Sequence, residues 1–147
     1  MKSMPPFIGQ ERPDACAIAC LRMILAHQGM AVSENEIIQA TDLLEGGLTP
    51  EEVSRLACLY GLESHEQQLD YDDLAGLVKL GRFPIVFLFR GPIDGVDITH
   101  AVIPLRVSNK FMTFLDPQCG ERKVTIRKFE EARRLVGRWV IVWETEA

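Results

Sequence analysis

Between Cys16 and Gln28 the chain is apolar on nearly every side of a helical wheel, interrupted only by Arg22 and by His27-Gln28 at its end, and it stops at Gly29. A helix with no polar face is a buried one, and a glycine after the last turn is a common terminator. Ser33 with Glu36 spells a capping box for a short helix through Ala40. Thr49-Pro50-Glu51-Glu52 supplies a cap, an N1 proline and an acidic first turn for a helix ending at Gly61. Asp70 to Leu80 gives a fourth helix. From Phe83 onward the pattern turns β-rich: Pro84 to Phe89, Ile98 to Val107, Phe111 to Leu115, a short piece at Lys123 to Ile126, and Trp139 to Trp143. Arg127 to Val136 reads as one more helix. Helices first and strands afterwards, with a hairpin turn at Ser108-Asn109, predict an α+β domain with N-terminal helices packed on a mainly antiparallel sheet.

Composition narrows the function. The 147 residues, 47% hydrophobic and 25% charged, exclude a disordered chain, and neither linker nor repeat divides residues 1–147, so a single domain is expected. Sixteen basic against 21 acidic residues give a net charge of −5, the wrong sign for wrapping a phosphate backbone; no nucleic-acid partner is expected. No apolar run approaches the roughly 20 residues that cross a bilayer, and Met1 to Gln10 holds no signal-peptide core, so the expectation is a cytoplasmic protein that does not itself span a membrane. Cys16, Cys20, Cys58 and Cys119 form no CxxC pair. With three histidines at unsuitable spacing they predict reduced thiols, no metal and no cofactor.

The chemistry concentrates at Cys16. It falls in the first helical turn, where unpaired N–H groups and the helix dipole favour a thiolate nucleophile. A carboxylate beside the sulfur works against that, so Asp14 is read as the helix N-cap. Such a thiol needs a base. His27 lies three turns down the same helix, roughly 16 Å away at 1.5 Å per residue, and suits the C-terminal end of the dipole. His65 sits in a polar stretch and reads as solvated. His100 opens the apolar strand Ala101-Val102-Ile103, where a sheet can present an imidazole at its rim, and the next strand ends in Asp116, sixteen residues on, suited to orient it. Side chains alternate with period two, so His100 and Asp116 share a sheet face only if paired positions sum to an even number. A two-residue Ser108-Asn109 turn fails that test. A three-residue loop, which with Arg106 opposite Lys110 puts Asp116 opposite His100, or a bulge in one strand, passes it. Gln10, six residues before Cys16, could place an amide N–H at an oxyanion.

Gln10, the run Cys16-Ala17-Ile18-Ala19-Cys20-Leu21-Arg22-Met23-Ile24, His100-Ala101-Val102-Ile103 and Asp116-Pro117 together resemble the papain-like cysteine peptidases that remove double-glycine leader peptides from bacteriocins. Those usually occur as the N-terminal domain of peptidase-containing ABC transporters. The similarity runs through Gly47-Leu48-Thr49 and Gly61-Leu62 to the closing strand at Trp139 to Trp143. The resemblance implies a papain-like α+β fold, with Cys16 as nucleophile, His100 as general base and later acid, Asp116 as orienting group and Gln10 as oxyanion donor. It further implies a peptide or protein substrate with a leader segment, cut after a small-residue, Gly-Gly-like motif. Three features depart from the pattern: Ala17 replaces the usual glycine after the nucleophile, Pro104 interrupts the strand after His100 and suggests an edge or bulge, and the 147 residues hold neither membrane spans nor an ATPase. Any ABC transporter or secretion system would then be a separate partner.

Other residues have plainer readings. Cys20 and Cys58 suit core packing, and Gly46-Gly47 suits a loop before the Thr49 cap rather than a cleavage site. Cys119, three residues past Asp116, is a candidate for an oxidative bridge to Cys16. Two other functions remain open on the residues alone: an acyltransferase or deamidase using the same thiol, and a non-catalytic leader-peptide-binding module.

Overall fold

Ile85-Val86-Phe87-Leu88 is apolar at every position because the strand it forms is covered on both sides. Ile85 and Phe87 belong to one buried cluster, Val86 and Leu88 to another. A computed structural model describes residues 3–41 and 47–144. Its helices are α1 (Cys16–His27), α2 (Glu34–Gln39), α3 (Pro50–Leu59), α4 (Tyr71–Lys79), α5 (Gly91–Asp94) and α6 (Ile126–Arg134). Its strands are β1 (Ser64–Gln68), β2 (Ile85–Phe89), β3 (Thr99–Val107), β4 (Phe111–Asp116), β5 (Gly120–Thr125) and β6 (Trp139–Trp143). The strands form one six-stranded sheet in the order β1-β6-β2-β3-β4-β5, every neighbouring pair antiparallel. The α+β expectation holds.

Alternation along the strands sorts the core. Ile85, Phe87, Ala101, Ile103, Leu115 and Ile141 meet the apolar sides of α1 and α3, whereas Val86, Leu88, Val102, Phe114 and Val140 meet α4 and α6. The helix α1 is buried along most of its length, as its all-round apolar pattern requires. The predicted caps form at Ser33 and Thr49, whose side chains accept from the N–H groups of Glu36 and Glu52, and Asp70 caps α4 in the same way through the Asp73 N–H. At Thr49 the Glu52 carboxylate returns the bond, completing a capping box.

Three features differ from the sequence expectation. The polar stretch Ser64 to Gln68 is a strand, β1, because β6 pairs with it residue for residue, from Ser64 opposite Trp143 to Gln68 opposite Trp139. The short helix α5 follows β2, with Pro92 in its first turn. The N-cap of α1 is Ala15, which makes no side-chain cap bond. Asp14 binds Arg12 instead, through contacts of 3.0 and 3.1 Å. The Asp14 carboxylate is thus paired with a guanidinium, which offsets the negative charge it would otherwise set beside the sulfur.

The β3–β4 hairpin carries the registration of the site. Val107 pairs with Met112 and Arg106 with Thr113, an odd sum that would leave His100 and Asp116 on opposite faces. A bulge between Pro104 and Arg106 then moves the register to Pro104 opposite Phe114 and Ile103 opposite Leu115. One unpaired residue in β3 makes the sum even, and Asp116 comes into register with Val102, two residues from His100 and on its face. Of the two expected devices the bulge is the one used, and Arg106 lies opposite Thr113 rather than Lys110. Pro104 sits at this irregularity in an interior strand, not at a sheet edge.

Candidate active site

Chain geometry delivers the site from three directions. α1 packs on β3 and opens with Cys16, half-buried in its first turn. His100 is the second residue of β3 and Asp116 the last of β4, so both lie at the same rim of the sheet. The Nε2–H of His100 donates to Asp116 Oδ1 at 2.7 Å, and both side chains are all but removed from solvent. Engaging Nε2 in this way leaves Nδ1 as the ring nitrogen that can face the Cys16 sulfur.

Burial alone would pull the His100 pKa down. The hydrogen bond to Asp116, the hydrogen-bonding and charge interactions of Cys16, and the Asp116 charge overcome it and carry the pKa from 6.5 up to about 9. At neutral pH the ring is therefore an imidazolium held between a carboxylate and a sulfur. Asp116 moves the other way: burial would raise its pKa, but the His100 hydrogen bond, the Gln118 N–H, the imidazolium charge and Arg122 hold it well below the usual carboxylate range. Its Oδ1 also accepts from the backbone N–H of Gln118 at 2.9 Å, and its Oδ2 from Arg122 Nη1 at 3.1 Å.

The structure thus brings Cys16, His100 and Asp116 together. Gln10 lies on the loop before α1, fixed at its backbone by donating to the Pro117 carbonyl, and its side-chain Nε2 donates to the carbonyls of Arg12 and Pro13 at 3.0 and 3.1 Å. Its Oε1 is buried without a partner among the described residues. The adjacent Glu11 N–H donates at 2.9 Å to Glu34, a buried carboxylate of α2, so the approach to the nucleophile is tethered on both sides. Gly47 closes the same corner: it adopts φ +86°, and a Cβ there would meet the Asp14 carbonyl at 3.3 Å. It lies in the loop before the Thr49 cap, as expected, while Gly46 falls outside the described residues.

Of the other candidates, His27, His65 and Cys20 fall where their plain readings put them, and Cys58 does not. His27 ends α1, edge-on to Phe83 and bound to Ser3 Oγ at 2.8 Å; His65 is exposed on β1 and bound to Gln67. Cys20 is buried, and burial, with Cys16 and Asp116 nearby, pushes its thiol well up. Cys58 is exposed rather than packed in the core, its thiol turned toward Ser64. Cys119 is an exposed free thiol, its backbone N–H bonded to the Asp116 carbonyl. No cluster of metal-ligating side chains and no helix long and apolar enough to cross a membrane occurs among the described residues.

Sequence reasoning missed Arg122. The signal was available: Asp116 to Gly120 forms a hairpin turn that places Phe114 opposite Arg122, so Arg122 shares a face with Asp116 by the parity argument already applied to His100.

Comparison with known proteins gives a consistent picture. A model of the peptidase C39 family matches residues 5–134. Among solved structures, a double glycine motif protease from an AMS/PCAT transporter, in complex with the leader peptide, is 21% identical; the match covers 99% of this chain and 94% of that one, with a TM-score of 0.78. The peptidase domain of ComA from Streptococcus, a bi-functional ABC transporter involved in a quorum sensing pathway, is 17% identical over 95% of this chain and 97% of its own, TM-score 0.78. A C39-like peptidase from Bacillus anthracis is 17% identical over 97% and 95%, TM-score 0.77. At these identities the likeness establishes the fold. A comparison with curated proteins found no match.

Proposed function

The chain belongs to the peptidase C39 family and is a cysteine peptidase, and from that premise we propose that Cys16, His100, Asp116 and Gln10 are its catalytic residues and a leader peptide its substrate. The observation that carries the assignment is the 2.7 Å His100–Asp116 bond at the sheet rim where the first turn of α1 delivers Cys16. In this reading the His100 proton and the Cys16 sulfur form the reactive couple. The sulfur attacks the scissile carbonyl carbon, and the oxyanion is held by the Cys16 backbone N–H, which its place at the helix start leaves without an intrahelical acceptor, and by the Gln10 amide. His100 protonates the departing amine and leaves a thioester on Cys16. The neutral ring then takes a proton from water, whose oxygen attacks the thioester, releasing the acid and restoring the Cys16–His100 couple. Asp116 holds the ring and stabilises its positive charge throughout.

For Gln10 to serve, one of the two hydrogens on Nε2 turns from the Arg12 and Pro13 carbonyls toward the oxyanion as it forms, a tightening typical of catalytic hydrogen bonds that are incomplete without substrate. The substrate class follows the relatives: a segment with a Gly-Gly-like motif, whose lack of side chains suits close approach to the α1 terminus. We place the enzyme in the cytoplasm, a reducing compartment that suits four free thiols, acting with a transporter or secretion system.

The test is direct. A synthetic peptide with an internal Gly-Gly is incubated with wild type and Cys16→Ala, and product masses are recorded with and without added amines. Cleavage after Gly-Gly by wild type alone, yielding the free acid, supports the reading. Amine adducts or a one-dalton glutamine-to-glutamate change would instead reveal acyl transfer or deamidation, and binding without turnover a leader-binding module.

A further inference from the structure

We propose that Arg122 is the positioning residue for the Asp116 carboxylate, and that Asp94, Arg90 and Gln118 hold it in place as one closed circuit. This inference rests on the assignment of Cys16, His100 and Asp116 given above.

A carboxylate at a strand end can swing about its last torsion, and His100 needs only one of its oxygens. Oδ1 is taken by His100 Nε2 and by the Gln118 N–H. Oδ2, buried with the rest of the carboxylate, accepts from Arg122 Nη1 at 3.1 Å. Unlike a surface ion pair, whose worth is small, this contact reaches a carboxylate that is 1% exposed, where an unpaired oxygen is costly. The guanidinium is itself constrained. It lies over the Phe114 ring at 6.0 Å, and its Nη1 also donates to Asp94 Oδ2 at 3.1 Å. Asp94 Oδ2 is held in turn by Arg90, through Nη2 at 2.7 Å and Nε at 3.1 Å, and Arg90 Nη1 donates to the side-chain carbonyl of Gln118. The path Asp116–Arg122–Asp94–Arg90–Gln118 therefore returns to Asp116 through the Gln118 backbone. Both carboxylate oxygens are fixed by one ring of contacts joining α5, the β4–β5 turn and β5. With Arg122 neutralised, Asp116 either rotates away from His100 or takes up a proton, and each outcome removes support from the imidazolium.

The experiment uses the full chain and two readouts: the rate of iodoacetamide alkylation of Cys16 at pH 7 by peptide mass spectrometry, and kcat and KM on the Gly-Gly peptide. The variants are His100→Ala, Asp116→Asn, Arg122→Met, Arg122→Lys and the double variant D116N/R122M, each checked by circular dichroism. Arg122→Met is expected to lower alkylation and kcat by up to roughly 10²-fold, the scale of a misplaced catalytic group, with KM little changed. Arg122→Lys should restore most of the rate. Above all, Arg122→Met should cost nothing further in the Asp116→Asn background, because it acts through Asp116. Wild-type rates in Arg122→Met, or an equal loss in both backgrounds, would overturn the proposal. Should Arg122→Met fail to fold, Asp94→Asn decides in the same way: a loss confined to the Asp116 background supports the circuit, and none refutes it. If His100→Ala alkylates like wild type, the parent assignment has failed; if His100→Ala is slow and Arg122→Met is not, only this inference has.

Discussion

The backbone N–H of Gln10 donates to the carbonyl oxygen of Pro117 at 2.9 Å, so the loop that leads into the nucleophile helix is bonded to the turn that follows the orienting carboxylate. Cys16 and Asp116 are a hundred residues apart in the chain, and this bond, with α1 packed on β3, closes that distance without relying on the length of any side chain.

His100→Ala removes the proton donor and the partner of the sulfur. Peptide cleavage is expected to fall by about 10² to 10⁴-fold, with the helical and strand content unchanged by circular dichroism. Turnover like wild type would remove His100 from the mechanism.

Gln10→Ala tests the oxyanion assignment separately from folding, because the backbone bond to Pro117 survives the change. A loss of about 10² to 10³ in kcat is expected, accompanied by alkylation of Cys16 at the wild-type rate, since alkylation forms no oxyanion. Equal losses in both assays would mean that Gln10 acts by holding the Arg12-Pro13 turn in shape.

The pH profile follows from two shifts of opposite sign. His100 has a folded pKa of about 9 against 6.5, so its contribution to stability is complete below 6.5 and drains away as pH rises through about 9. Asp116 is lowered from 3.8, so its contribution is present above 3.8 and is lost as acid titrates the folded carboxylate. The gap in thermal midpoint between wild type and His100→Ala should therefore be widest near pH 5 to 6 and shrink toward pH 9.5. The rate of peptide cleavage should decline over the same alkaline range as the imidazolium deprotonates. A gap independent of pH would contradict the charged state assigned to the ring.

Gly47→Ala places a methyl group in a left-handed backbone conformation and against the Asp14 carbonyl at 3.3 Å. The conformational penalty is about 1 to 2 kcal/mol, readable as a lower denaturant midpoint. Because Asp14 stands two residues before Cys16, slower alkylation of Cys16 should accompany it. An unchanged midpoint would show that the loop relaxes freely.

Local signals in the chain were enough to predict the caps at Ser33 and Thr49, the buried α1 and the strands whose residues are apolar. They failed where a partner far away in the chain decides. Ser64-His65-Glu66-Gln67-Gln68 has no strand character of its own and is a strand because β6 lends it a ladder. Arg133, fully buried on α6, is tolerated there because Glu130 pairs with it and the Leu69 carbonyl accepts from it. At the site, parity sufficed to require a rephasing between His100 and Asp116, whereas whether a loop or a bulge supplied it depended on how Pro104 and Leu105 fit between neighbouring strands. Asp14 was misjudged for a related reason: a carboxylate beside a helix start is normally its cap, but Arg12 lies closer to hand and carries a full charge.

The bulge in β3 also separates two jobs that hairpins usually combine. The tip at Asn109 and Lys110 lies beyond the bulge, so the hairpin can be lengthened by whole residue pairs there while the sheet end that holds His100 and Asp116 keeps its phase. What a relative of this chain must preserve is the single extra residue near Pro104. A deletion at Leu105 would turn the imidazole and the carboxylate to opposite sides of the sheet, and would cost the reaction although no chemically active group had been touched.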